Sequence, residues 1–201
     1  MKFTKKDLMF SVITGFITGF IAWRVLIFLN VPEFAGIPLV WLIVAVPILW
    51  ILGVNLGYFL GKWLDFFNQF GKFSAVGFTN GAVYFGILNI LIFFSGVNRG
   101  LWYSVFVAIS FVVAVSLSYF WNKFWVFSAD GKINGKEFGK FFSVYLIAGL
   151  VNVSIASGVV NFMSPLFSLT LDQWANTGGV AGSAVALTFS FIGLRLKVFR
   201  K

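Results

Sequence analysis

From Leu8 to Leu29 the chain runs almost without a charge, and the pattern returns at Leu39–Leu60, Phe73–Phe94, Leu101–Trp121, Phe141–Phe162 and Thr177–Leu194. In each block apolar residues occupy all sides of a helix, and none alternates apolar with polar residues as a barrel strand does. Each is long enough to cross a hydrocarbon core, which takes about 20 helical residues. The pattern predicts an all-α membrane protein of six transmembrane helices. Pro47 lies inside the second block and predicts a kink, which packed membrane helices accommodate.

The polar segments between blocks set the orientation. With six spans, both termini lie on one side together with Lys2, Lys5, Lys6, Lys62, Lys72, Lys123, Lys132, Lys136, Lys140, Arg195, Lys197, Arg200 and Lys201. The opposite loops carry Arg99, with Glu33 and Asp172. Such an excess marks the cytoplasmic face, so both termini are expected in the cytoplasm of a cell-membrane protein. The net charge of +9 then belongs to a membrane surface facing anionic lipids, and no nucleic-acid partner is needed to explain it. Composition agrees: 60% of residues are hydrophobic and 10% charged, too few to coat a soluble domain, where roughly 25% is usual. Trp41, Trp102 and Trp174 fall near the outer ends of blocks, and Trp63, Trp121 and Trp125 near the inner ends, as an interfacial belt. The first block follows Lys2, Lys5 and Lys6, but it is too long for a signal-peptide core and is expected to be retained. Between residues 62 and 71, Trp63, Phe66, Phe67 and Phe70 recur at helical spacing, which predicts a short amphipathic helix in the interface. Residues 128–139 read as a polar loop.

The chain also repeats itself. Phe70-Gly71-Lys72-Phe73 returns as Phe138-Gly139-Lys140-Phe141, and the segment Ser118–Phe127 aligns with Ser190–Phe199. Asn80 and Asn152 are separated by the same interval as Ser118 and Ser190. Each copy, 70–127 and 138–199, is a two-span hairpin, so the chain returns to its starting side and both copies face the same way as a parallel repeat. Residues 1–61 form an additional N-terminal hairpin, 62–71 a linker, and 72–201 a four-helix domain.

Small residues recur at four-residue spacing: Gly53, Gly57 and Gly61; Ser110, Ala114 and Ser118; Ala148, Asn152 and Ala156; Gly178, Gly182 and Ala186. Close helix packing, or oligomerisation of the chain with itself, explains such stripes. The asparagines differ, because an amide in hydrocarbon needs partners. Asn80, Asn122 and Asn152 are therefore expected to face the bundle interior or a polar groove. Arg24 lies inside the first block. A central Arg costs about 2.5–3.5 kcal/mol on insertion scales, so it snorkels outward or meets a partner such as an outer-leaflet phosphate.

Four of these motifs in order resemble the GtrA-like family: Lys72-Phe73 with Val76-Gly77 and Asn80; Asn122-Lys123-Phe124-Trp125-Val126-Phe127; Lys140-Phe141 with Gly149 and Asn152; and Arg195 with Val198-Phe199. The resemblance covers Phe70 to Lys201. It implies a small polytopic protein that serves cell-surface polysaccharide or teichoic acid glycosylation, moves a polyprenyl-phosphate-linked sugar between leaflets, and partners a membrane glycosyltransferase. Leu194 stands where a second Asn-basic pair would complete the family pattern, and the N-terminal hairpin is additional to the four-span unit. In this reading Lys72, Lys123, Lys140 and Arg195 gather the phosphate at the cytoplasmic ends of four helices. Asn80, Asn122 and Asn152, with Ser118, bond sugar hydroxyls, and Arg24 meets phosphate on release. For each cation alone, a topology-determining side chain that reaches the headgroups is the competing explanation.

Histidine and cysteine are absent, and the acidic residues Asp7, Glu33, Asp65, Asp130, Glu137 and Asp172 are scattered. No paired carboxylates, zinc-ligand set or phosphate loop stands out, so no enzyme, metal site or cofactor is expected. A non-catalytic anchor or assembly subunit for a glycosyltransferase, and a small-solute transporter, remain as alternatives.

Overall fold

The computed structural model describes residues 2–33, 36–126 and 135–197, except for side chains at 136–138, 140–142, 144 and 187–197. Six long helices make up the fold: α1 (Lys5–Phe28), α2 (Leu42–Leu60), α3 (Phe67–Ser95), α4 (Gly100–Trp121), α5 (Gly135–Phe162) and α6 (Leu171–Lys197). No strand occurs among the described residues. Helices α1 to α5 are long and apolar enough to cross a membrane. Helix α6 has 27 residues, about 40 Å at 1.5 Å per residue, and part of it lies outside the described side chains.

Burial is inverted relative to a soluble protein. In α1 the buried face is Asp7, Ser11, Thr14, Gly15, Thr18 and Gly19, whereas Leu8, Met9, Val12, Ile13, Phe16 and Phe20 are exposed. Water would penalise that surface, and hydrocarbon accepts it. The chain is an all-α, multi-pass membrane protein.

Two differences from the expected boundaries have local causes. Helix α3 starts at Phe67, so the second half of segment 62–71 forms its first turn rather than a separate interfacial helix. Reverse turns from Phe67 N to Leu64 O and Asn68 N to Asp65 O lead directly into it, and Phe66, Phe67 and Phe70 pack ring on ring. Helix α5 starts at Gly135, inside the expected polar loop 128–139, because a helix can continue past the hydrocarbon where water satisfies its end. Residues 128–134 lie outside the described residues.

The chain divides into two compact units: Met1–Gly86 with Ser116–Lys132, and Ile87–Val115 with Ile133–Lys201. In the first unit, α1 and α2 cross so closely that a Cβ on Gly15 would lie 2.5 Å from Pro47 Cα, and one on Gly19 would strike the Leu42 carbonyl. A Cβ on Gly57 would lie 2.8 Å from Phe67 O, which brings α2 against α3. Val54, Tyr58, Ala75, Val76, Trp125 and Val126 form its core.

In the second unit, Gly182 faces α5, where an added Cβ would lie 2.5 Å from Asn152 O and 3.0 Å from the Ala156 methyl. Gly182→Val is therefore expected to force α5 and α6 apart and cost about 1–3 kcal/mol, read as a lowered Tm of the detergent-solubilised protein.

The same unit fixes the direction of the hairpins. The α3–α4 turn is bracketed by Gly96 and Gly100, both left-handed at φ 66° and 79°, a conformation glycine adopts without penalty. Beside it, Asn98 Nδ2 donates to Asp172 Oδ1 at 2.9 Å, and Gly100 N donates to Asn161 Oδ1 at 2.5 Å. Asn161 ends α5 and Asp172 begins α6. The turns of both hairpins thus meet at one end, and the hairpins run the same way.

Candidate substrate site

At the start of α1, Thr4 and Asp7 form a capping box, each side chain bonding the other's backbone N–H. The same carboxylate is 2% exposed and collects donors from three other helices' ends. Lys72 Nζ lies 2.8 Å from Oδ1. Trp125 Nε1 donates to Oδ1 at 3.1 Å, and Tyr58 OH to Oδ2 at 3.0 Å. The Lys72 ammonium also sits 5.2 Å from the Tyr58 ring centroid. A carboxylate in an apolar interior is tolerated only when paired and fully bonded, which this convergence achieves. The charge of Lys72 is thereby balanced within the chain by Asp7, a residue not expected at the site.

One turn further into the first unit, α4 widens into a π-helical turn over Asn122–Val126. Such a turn inserts one extra residue and often marks a functional site. Asn122, Lys123, Trp125 and Val126 are all buried there. The Lys123 ammonium lies 3.4 Å from Tyr119 OH and 5.7 Å from its ring centroid. In the same unit, two amides converge on one hydroxyl: Asn80 Nδ2 donates to Ser118 Oγ at 2.7 Å, and Asn122 Nδ2 at 3.0 Å. Asn122 Nδ2 also reaches Ser118 O at 2.9 Å. The side-chain oxygens of Asn80 and Asn122 are buried without a hydrogen-bond partner. One hydroxyl offers a single proton, so whichever way the amides are turned it can satisfy only one of their oxygens. Acceptors left in an apolar interior are costly, and a ligand that brings hydroxyl donors would satisfy them.

Three expected residues, Asn80, Ser118 and Asn122, thus come together, with Lys123 next in sequence. Asn152 belongs to the second unit, is 1% exposed and donates to Ser183 Oγ at 3.1 Å. Its counterpart Asn80 meets Ser118, so the matched asparagines have different serine partners. Arg24 is exposed, with its guanidinium 5.3 Å from the Trp23 ring centroid. The side chains of Lys140 and Arg195 lie outside the described residues.

An apolar groove of about 260 Å³ runs between α2 and α3 over Gly53, Gly57 and Gly71, walled by Trp50, Leu56, Phe70 and Phe78. Among the described residues, no group of His, Cys, Asp or Glu is arranged to hold a metal ion.

The family model described as GtrA/DPMS, transmembrane domain matches residues 72–199. No curated protein and no solved structure matches the chain.

Proposed function

Because the chain belongs to the GtrA/DPMS transmembrane-domain family, whose model spans more than half of it, we propose that it moves a polyprenyl-phosphate-linked sugar between membrane leaflets for glycosylation of cell-surface polysaccharide or teichoic acid. Membership ties the chain in general terms to translocation associated with glycosylation at membranes. The choice of substrate is our reading. Its main support is the pair of buried, unpartnered amide oxygens on Asn80 and Asn122, with the buried Lys123 next to Asn122 in sequence. Acceptor oxygens suit sugar hydroxyls, and an ammonium suits a phosphate through charge-assisted bonds. The glycine-floored groove between α2 and α3 gives an isoprenoid tail an apolar surface.

In this reading the basic end faces the cytoplasm of a cell membrane, with anionic lipids around it. The glycosyl transfer belongs to a separate membrane glycosyltransferase, and the chain itself is no enzyme.

The test is reconstitution of the purified full-length protein into liposomes carrying a labelled short polyprenyl-phosphate sugar. Exposure of the inner-leaflet label to a membrane-impermeant reagent is expected to rise well above that in protein-free vesicles. Unchanged leaflet exposure, together with copurification of a glycosyltransferase, would instead establish an assembly subunit. Release of small solutes without movement of the lipid would establish a solute transporter.

A further inference from the structure

In the second unit, the turn between α3 and α4 borders a small cavity. Asn98, Arg99, Ser164 and Trp174 contribute its polar lining, and its volume is about 80 Å³. One water needs about 10–15 Å³ on this measure, so the space is roomy enough for a phosphate-sized group. Trp174 is 4% exposed, and its indole Nε1–H is buried without a hydrogen-bond partner. An indole N–H can only donate, and a buried one normally finds an acceptor. Arg99 brings the positive charge, in loops where sequence places no other basic residue. Asp172 accepts from Asn98 Nδ2 at 2.9 Å and is not part of the lining.

We infer that this cavity is a second binding site, distinct from the amide cluster, that receives a phosphate group through the Arg99 guanidinium and the Trp174 indole N–H. Arg99 and Trp174 both line the cavity, so an oxyanion with several acceptor atoms suits it. The ligand chemistry is shared by free phosphate and by a lipid phosphate headgroup. As a further resting place for the headgroup, the site extends the transport reading and in that role rests on it. The binding chemistry does not.

The experiment titrates the detergent-solubilised full-length protein separately with inorganic phosphate and with farnesyl phosphate, followed by phosphorus NMR line broadening. Saturable binding is expected in the wild type. Arg99→Gln and Trp174→Phe should each weaken it about tenfold or more, the usual effect of losing a hydrogen bond to a charged group. Lys62→Met, at an exposed cation outside both sites, should leave it unchanged, and the same titrations in a Lys123→Met background remove any phosphate held at the amide cluster. Binding of both probes supports the site with free phosphate sufficient, and binding of farnesyl phosphate alone supports it with a lipid headgroup as the source. Arg99 lies at the surface, so its variant tests the site even if Trp174→Phe fails to fold. Absence of saturable binding, or affinity that survives Arg99→Gln, overturns the inference. A wild type that binds phosphate but moves no lipid-linked sugar would overturn the transport reading alone, whereas transport without this binding would overturn the site alone.

Discussion

Replacing Asp7 with alanine is expected to destabilise the protein by about 3–5 kcal/mol, the cost of stranding a buried charge when its partner is removed. The carboxylate is the common acceptor for Lys72, Tyr58 and Trp125. Its loss leaves an ammonium, a phenol and an indole without it, and it also removes one half of the α1 capping box. Asp7→Asn should be milder, because the amide oxygen still accepts from two of these donors. The double variant Asp7→Leu with Lys72→Met removes both charges and replaces them with apolar volume. It should recover most of the loss, since exchanging a buried ion pair for hydrophobes is often neutral or stabilising. Thermal unfolding followed by size-exclusion chromatography in detergent checks all three. A Tm for Asp7→Ala equal to that of the wild type would mean that the pair contributes nothing to the fold. This prediction also gives the N-terminal hairpin a purpose: α1 supplies the counter-charge that lets Lys72 remain buried at the start of α3.

The helices themselves were legible because uninterrupted apolar runs have few alternatives in a bilayer, and the direction of the two hairpins followed from counting crossings. The meeting of Asn80, Ser118 and Asn122 was legible in outline, since amides in hydrocarbon have to find polar company. The Asp7–Lys72 pair was hidden. Thr4 and Asp7 form a local capping pattern that accounts for the carboxylate without any distant partner, and nothing in the spacing ties α1 to α3. The π-helical turn was equally hidden, because one added residue in a helix leaves no periodic signature over five positions. Asn89 and Asn176 bond each other reciprocally at 2.7 and 2.8 Å; the first lies inside the third apolar block and the second just before the sixth. They lie outside the repeated motifs, and repetition was the cue that selected Asn80 and Asn152. Trp174 looked like an ordinary interfacial tryptophan, and only its unpartnered N–H and its place in the lining of a cavity distinguish it.

Lys123→Met is expected to lower transport of the lipid-linked sugar by about 10- to 100-fold, the range for loss of a hydrogen bond to a charged group. It should leave Tm unchanged or slightly raised. The separation follows from burial. Lys123 is 6% exposed, so its charge already bears a desolvation cost that methionine of similar length removes, while the methylene packing beside Tyr119 is largely kept. A lysine retained for topology alone would gain nothing from burial in a π-helical turn, since a headgroup-level position costs less. Lys123→Arg should restore part of the transport, because guanidinium also binds phosphate, although its planar fork differs from a point charge. Liposome transport and thermal unfolding measured on the same preparations decide between the roles. Parallel losses of Tm and transport would make Lys123 a packing residue. Full transport by the methionine variant would remove it from the path of the phosphate and leave the Asn80 and Asn122 oxygens without an adjacent phosphate ligand in the described part of the site.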